Sequence, residues 1–200
     1  MLLNVRQLPL LALVLLAGCV TQPAVKPSSN IALNTQHLAK LAQIHHYMLK
    51  GRLGVNANGK GFSGGMTWEH HPSTDHIDLF TPLGSKAANI KKSTQEVVLT
   101  TSDNKVIKAD NAETLTEKTL GWRLPLAGLS DWALGKPTAS TITASTWDEQ
   151  GRLLTLAQDG WQIAYEHYST QAGTSLPGKV TLKNDKLNLK LLIEQWQINQ

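Results

Sequence analysis

Cysteine is nearly absent from this chain, which has a single one, Cys19, among 200 residues. A lone cysteine forms no disulfide within the chain, so the fold depends on its apolar core. A chain of this length can bury a core large enough for one domain. The composition therefore excludes the small secreted scaffolds that disulfides hold together.

Long apolar runs are missing as well. A membrane-spanning helix needs about 20 apolar residues, and the most apolar run, at residues 8–17, has about half that length. Arg6 precedes this run and small residues end it. Those features are typical of a secretory signal peptide, so we expect residues 1–18 to be cleaved from the mature protein.

Clustered charge is the third absence. The net charge is +4 and charged residues make up 17% of the chain, without a run of lysine or arginine. Such a chain has no electrostatic footprint for nucleic acid, which we therefore exclude as a partner. No two carboxylates share an apolar context, so the sequence offers no acid–base couple. We expect no enzymatic activity and no cofactor.

Two glycine-containing patterns match known motifs by letter only. Residues 61–65 fit the G-x-S-x-G nucleophile motif around Ser63, and neighbouring glycines fit a phosphate-binding motif. Both motifs need a helix directly after the glycines. The next residues, 66–69, instead continue the alternation of a strand. We interpret the glycines as parts of a strongly bent strand.

Histidine recurs often enough to raise the question of a metal site. Adjacent histidines on a strand point to opposite faces of the sheet, which hinders joint coordination. The chain also shows no regular ligand spacing. We predict no metal site and solvent-exposed side chains for His45, His46, His70, His71 and His76.

What the chain does contain is a lipoprotein signal. The ending Leu16-Ala17-Gly18-Cys19 resembles the lipobox of bacterial lipoproteins. This resemblance implies that Cys19 becomes the N-terminal, N-palmitoyl and S-diacylglycerol cysteine that anchors the protein. Val20 stands where an aspartate would imply retention at the inner membrane, so the implied place is the periplasmic face of the outer membrane. Residues 19–34, rich in Pro, Ser, Asn and Thr, are typical of a flexible tether.

Residues 35–200 are predicted to form one domain that is mostly β. Leu38, Leu41 and Ile44 repeat at helical spacing and predict a helix over residues 35–47. Two further helices are expected over residues 110–120 and 126–134. Apolar and polar residues alternate in eleven segments that are predicted to be strands: 49–55, 62–68, 77–81, 85–91, 95–101, 105–109, 141–147, 153–158, 161–168, 179–183 and 187–196.

The tight turns between these segments indicate antiparallel neighbours. A long antiparallel sheet with one apolar face must curl or be covered by helices. We therefore predict an α+β fold: a single antiparallel sheet of about eleven strands, curled into an incomplete β-barrel with a helical lid. Such a barrel encloses an apolar cavity. Its acyl-chain lining is predicted to include Trp68, Leu129, Trp132, Trp161 and Ile163.

The connection Thr81-Pro82-Leu83-Gly84 presents a leucine between a proline and a glycine. Exposed single leucines are common, so this one can be an ordinary loop residue. A leucine on a stiff loop tip can equally enter a membrane. The two interpretations stay open on the sequence alone.

Taken in order, several segments resemble the LolB family of outer-membrane lipoprotein receptors. They are the lipobox, Lys50-Gly51-Arg52, Thr81-Pro82-Leu83-Gly84, the Pro125–Pro137 segment around Trp132, Gly160-Trp161, Leu176-Pro177 and the closing segment up to Trp196. The resemblance implies an open barrel with a helical lid. It also implies that Leu83 lies on the loop that inserts into the membrane.

The resemblance further implies what the protein does. It would accept acylated lipoproteins from a LolA-like periplasmic carrier and insert them into outer-membrane phospholipid by passive transfer of acyl chains, as a monomer. The competing interpretation is a structural or assembly lipoprotein that binds a protein partner without transferring lipid. A hydrolase would require a base near Ser63, and the sequence shows none.

Overall fold

The computed structural model describes residues 27–57, 59–121 and 123–199. The helices in this part are α1 (Ile31–Leu41), α2 (Ala112–Leu120) and α3 (Leu126–Leu134). The strands are β1 (His46–Ala57), β2 (Lys60–His71), β3 (Thr74–Phe80), β4 (Lys86–Lys92), β5 (Val97–Thr101), β6 (Val106–Ala109), β7 (Ile142–Trp147), β8 (Leu153–Gln158), β9 (Trp161–Glu166), β10 (Ser169–Gln171), β11 (Thr174–Leu176), β12 (Lys179–Lys183) and β13 (Asn188–Asn199).

Eleven of these strands form one antiparallel sheet in the order β6-β5-β4-β3-β2-β1-β13-β12-β9-β8-β7. The two edge strands, β6 and β7, do not pair, so the sheet is curled but not closed. Helices α2 and α3 connect those two edges along the chain. The predicted fold class, an incomplete barrel of about eleven strands with helices over it, is confirmed.

The inner face of the sheet carries the core because apolar residues occupy every second position. In β1, Leu49, Leu53 and Val55 are buried while Lys50 and Arg52 between them are exposed. Pairing preserves this alternation, since residues opposite each other share a face. Leu49 lies opposite Trp68, and Trp68 opposite Ile77. The outer face of this strand is therefore polar, and the apolar inner face forms one core with the buried residues of the helices.

The first helix differs from its prediction at both ends. It runs from Ile31 to Leu41 instead of over residues 35–47, and β1 already begins at His46. The side chain of Asn30 caps the helix by accepting a hydrogen bond from the Leu33 amide at 3.3 Å. Ile44 fits a helical stripe, but it is buried in the turn that leads into β1. Over so short a stretch, a turn followed by a strand gives the same spacing of apolar residues as a helix. This explains why the predicted helix extended too far.

The small hairpin of β10 and β11 was not predicted. Its two-residue turn consists of Ala172 and Gly173, both with positive φ, 46° and 75°. Such turns match the twist of a hairpin. Alanine rarely adopts this conformation, so the usual signal, Asn-Gly or Asp-Gly, is missing here. The predicted strand 161–168 accordingly ends earlier, at Glu166.

The antiparallel order separates two ends of the sheet. The turns that follow β1, β3, β8 and β12 lie at one end, which we name the Leu83 end. At the other end β1 begins and β7 finishes. There α1 packs onto the β7–β8 turn, since the Asn34 amide group donates to the Gly151 carbonyl at 2.8 Å. We name this the α1 end.

The glycine-rich part of β2 gives the first prediction. A Cβ at Gly64 would collide with the Phe80 carbonyl oxygen and come within 2.7 Å of the Phe62 ring. We expect Gly64→Ala to lower the free energy of unfolding by about 2 kcal/mol. Gly54, in the neighbouring strand β1, has only the Lys190 carbonyl at 3.9 Å.

Gly54→Ala is therefore the matched control and should stay within about 0.5 kcal/mol of wild type. Denaturant unfolding of both variants measures the difference. Equal stability of the two alanine variants would contradict the close approach at Gly64.

Candidate functional site

A cavity of about 560 Å³ opens at the Leu83 end of the sheet, between the two lid helices and the nearby turns. Its apolar lining is contributed by Ala57, Pro125, Ala127, Trp132, Trp161 and Leu187. The volume falls within the range of about 300–1,000 Å³ that ligand pockets usually have. An apolar surface of this kind holds a ligand by area and needs no fixed polar partner.

Trp132 is the central residue of this lining. It projects from α3 and is only 2% exposed. Its ring lies over Gly128, one turn earlier in the helix, where a Cβ would come within 2.5 Å of the indole. The Trp161 ring of β9 lies 6.3 Å away between ring centres. Two indoles on facing elements thus form one wall of the cavity.

Gln158, the last residue of β8, holds the Trp132 side chain in place through a hydrogen bond. Its side-chain oxygen accepts hydrogen bonds from the Trp132 indole N–H and from the Thr138 amide, both at 3.0 Å. Its side-chain nitrogen donates to the carbonyls of Thr138, at 3.2 Å, and Ser140, at 2.8 Å. All four hydrogen-bonding positions of a 1% exposed glutamine are therefore used.

The other side of α3 is fixed from β1. The buried Tyr47 hydroxyl donates to the Ser130 carbonyl at 3.1 Å, and burial raises the pKa of this phenol well above its usual value. The His70 ring stacks on Tyr47 at 4.9 Å. The expectation that all five predicted histidines are solvent-exposed is thus wrong for His70, whose stacking shields it.

His70 also belongs to a charged cluster around Asp75. The Asp75 carboxylate lies 2.6 Å from His70 Nδ1 and accepts the Trp68 indole N–H at 2.9 Å and the Lys92 ammonium at 3.1 Å. Burial by itself would raise the pKa of Asp75. The hydrogen bonds from His70, Trp68 and Lys92 outweigh burial and hold the pKa below its usual value.

Charged residues surround the cavity opening. Glu117 and Arg123 form an ion pair at 2.8 Å, and Glu113, Asp159 and Lys186 stand around the same opening. Both signs of charge are present and solvent reaches them. The cavity is therefore apolar inside and polar at its entrance, which suits a ligand with an apolar tail and a polar head.

The structure brings only some of the predicted lining residues to the cavity surface. Trp132 and Trp161 line it. Leu129, Ile163 and Trp68 are at most 2% exposed and belong to the packed core. Gln158 and the charged rim were not predicted, because a glutamine at the end of a strand carries no sequence signal of its burial.

Leu83 is the most exposed large apolar residue in the described part of the chain, at 96%. The loop that carries it is closed by hydrogen bonds from the Thr81 amide to the Ser85 carbonyl, at 2.8 Å, and from the Gly84 amide to the Thr81 carbonyl, at 2.9 Å. Gly84 has a φ of 87°, which a side chain would oppose. The loop is thus a stiff platform for one apolar side chain.

Two other predicted features can be placed. Ser63 lies within β2, which continues without interruption to His71, so no strand-to-helix elbow surrounds it. Among the described residues, no group of three or more His, Cys, Asp or Glu side chains is arranged to hold a metal ion.

Cys19 lies outside the described residues. Within them, no helix is both long and apolar enough to cross a bilayer.

Comparison with solved structures defines the class of fold. The chain superposes on the LolA superfamily protein of Nitrosomonas europaea with a TM-score of 0.52 at 8% identity, over 84% of this chain and 94% of the other. A DUF1329 family protein from Desulfovibrio piger gives a TM-score of 0.54 at 6% identity, over 84% and 91%. At such low identity these likenesses concern the fold alone, an open antiparallel sheet covered by helices.

Sequence comparison identifies the family within this class. Residues 45–196 match the model of the family described as outer membrane lipoprotein LolB. The chain is 38% identical to outer-membrane lipoprotein LolB of Nitrosomonas europaea, over 92% of this chain and 89% of that one. It is 35% identical to the LolB of Nitrosococcus oceani, over 94% and 95%. The chain belongs to the LolB family and is a lipid-anchored protein of the outer membrane.

The Gln158 contacts give a prediction for lid stability. Gln158→Leu removes four hydrogen bonds and leaves the Trp132 N–H and the Thr138 amide without their buried acceptor. We expect a loss of about 3 kcal/mol in the free energy of unfolding. Gln162→Leu, the same change at an exposed position of β9, should alter it by less than about 0.5 kcal/mol. Thermal and denaturant unfolding compare the two, and equal losses would contradict the role of Gln158.

The Asp75 cluster gives a prediction for pH. Because the folded-state pKa is lowered, the carboxylate contributes stability that is fully present above its unfolded pKa of about 3.9. This contribution is lost as the pH falls through the lower folded pKa. We expect the stability gap between wild type and Asp75→Asn to shrink steadily below about pH 4. Unfolding between pH 7 and pH 2.5 measures this gap, with exposed Asp185→Asn as control; a constant gap would refute it.

Proposed function

We propose that this protein accepts acylated lipoproteins from a soluble periplasmic carrier and inserts them into the outer membrane by passive transfer of acyl chains. The observation that carries this proposal is an apolar cavity beneath a helical lid at the same end of the sheet as the exposed Leu83. The role is that of a receptor and not of an enzyme. The partners are a LolA-like carrier, the acylated lipoproteins and outer-membrane phospholipid.

The energetics of acyl chains support transfer without ATP. Hiding one CH2 group from water is worth about 0.8 kcal/mol. A chain that moves from one apolar cavity to another keeps most of this gain, so the exchange between carrier and receptor is nearly balanced. The bilayer then provides the final, more favourable environment. The wall of Trp132 and Trp161 is a suitable surface for the intermediate stage.

Movement of the lid enlarges the cavity beyond its volume in the closed arrangement. Leu129, on α3 itself, and Ile163, on β9, are both buried in the core, so displacement of this helix adds their surfaces to the cavity. Trp68 is also buried in this core. It becomes part of the cavity lining only if the core opens further. The hydrogen bonds of Tyr47 and Gln158 to α3 oppose the displacement. An entering acyl chain shifts the lid by binding its displaced state more tightly.

Cys19 is the proposed anchor, with residues 1–18 removed. The folded domain already includes Ser28 and does not begin at residue 35 as predicted, because Ser28 pairs with Trp147 and α1 starts at Ile31, and this domain acts as one monomeric receptor. An assembly lipoprotein that only binds a protein partner is the competing function. It would need an extended exposed apolar face and no cavity, whereas only two of the exposed large apolar residues of the described part, Ile31 and Leu33, are near neighbours in the chain, and a cavity is present. That comparison favours the receptor.

The decisive variant is Leu83→Glu. Leu83 is 96% exposed, so the change should leave the melting temperature unaltered. A carboxylate opposes entry of the loop into the acyl region. We expect normal acceptance of a lipoprotein from the carrier and at least a tenfold slower delivery to liposomes, measured in a two-stage transfer assay.

Leu192→Glu is the matched control, since Leu192 is a 37% exposed leucine on the outer face of β13; it should deliver at the wild-type rate. If Leu83→Glu delivers normally, the loop is only a connection. If this variant cannot accept cargo or melts early, Leu83 contributes to the cavity or core instead. Failure of the wild type to accept any lipoprotein would reject the receptor function itself.

A further inference from the structure

The first turn of α1 exposes an apolar surface that the fold does not use. Ile31 is 67% exposed and Leu33 is 36% exposed, and Ala32 between them is exposed as well. The described residues contain six exposed large apolar side chains, and this turn holds two of them. An apolar turn of this kind on a monomer marks an interaction surface more often than an isolated leucine does.

The packing of α1 explains why this turn projects. The helix attaches through its later residues, with His37 and Leu41 buried. At the first turn the attachment is polar: the Leu33 carbonyl lies against Gly151 and the Asn34 side chain donates to the Gly151 carbonyl. The Asn30 side chain caps the helix. The side chains of Ile31 and Ala32 therefore point away from the domain without contributing to its core.

The position of this turn along the chain limits what can cover it. The Ser28 amide donates to the Trp147 carbonyl at 2.7 Å, which fixes the chain just before α1. Only residues 20–27 lie between this fixed point and Cys19. A chain of that many residues spans at most about 30 Å even when it is fully extended. Lipid attached at Cys19 therefore keeps the α1 end close to the bilayer surface.

We propose that the first turn of α1, Ile31 to Leu33, lies in the lipid surface of the outer membrane while the receptor waits for cargo. The occupant of this surface is the bilayer to which the protein is anchored. The proposal rests on the lipid anchor at Cys19 that is part of the proposed function. Amphipathic segments bind such surfaces by burying a few apolar side chains at the boundary between headgroups and acyl chains.

This resting arrangement agrees with the geometry of the two ends. Ser28 and α1 lie at one end of the sheet, and the cavity opening and the Leu83 loop lie at the other. With the α1 end on the bilayer, the opening faces the periplasm, from which a soluble carrier arrives. Delivery then requires the domain to turn over so that Leu83 reaches the lipid. The first turn of α1 and Leu83 are thus alternating membrane contacts.

The test uses the full acylated chain in proteoliposomes. Ala32→Cys is labelled with a small fluorophore, and the lipids carry nitroxide quenchers at shallow acyl positions. Ala144→Cys, an exposed alanine on β7, is the control. We expect quenching at residue 32 to exceed that at residue 144 at least threefold. Adding Ile31→Ser and Leu33→Ser to the labelled chain should remove at least half of this excess, with an unchanged melting temperature.

Equal quenching at the two positions, or quenching that ignores the double serine change, would overturn the proposal. The proposal would also be overturned if residue 32 crosslinked to the tether or to a second copy instead of to lipid. It would likewise be overturned if the chain were found not to be acylated at Cys19. Cargo transfer is measured on the same proteoliposomes. Transfer without quenching at residue 32 rejects only the resting contact, whereas quenching without any transfer rejects only the receptor function.

Discussion

The whole structure depends on one constraint: the inner face of the sheet is apolar, but the sheet does not close. With β6 and β7 unpaired, hydrogen bonding between strands cannot seal the interior. Helices α2 and α3 cover it instead, and a cavity remains between them and the turns at the Leu83 end. A closed barrel of the same strands would bury the same side chains and offer no movable cover.

The cover is held by a few polar contacts superimposed on apolar packing. Gln158 on β8 and Tyr47 on β1 form hydrogen bonds to α3, on either side of the apolar residues that the helix buries. Hydrogen bonds are directional, so they define one position of the helix, whereas apolar packing tolerates several. This combination allows a lid with a definite closed state whose apolar underside remains suited to other apolar partners.

The alternation of apolar and polar residues predicted the eleven strands of the sheet, and strands such as β1 and β3 show the matching alternation of buried and more exposed residues. It failed over residues 31–48, where a short helix, a turn and a strand share one apolar pattern, and at the Ala172-Gly173 turn, which lacks the usual residues. Of the predicted lining, Trp132 and Trp161 reach the cavity, while Trp68 is fully buried in the core, where it donates a hydrogen bond to Asp75. Gln158 could not be predicted, since its role arises from residues brought together only by the fold.

The bridge between Ser28 and Trp147 determines where force enters the molecule. Any pull from the bilayer on the anchored N-terminus is carried through this hydrogen bond into the edge strand β7 and through the backbone into α1. The lid is attached at the far end of the same strand, where Gln158 lies opposite Ile142 and accepts the Trp132 indole N–H. A pull on the N-terminus therefore enters β7 at Trp147 and has to be transmitted along the whole strand before it reaches the residue that holds the lid.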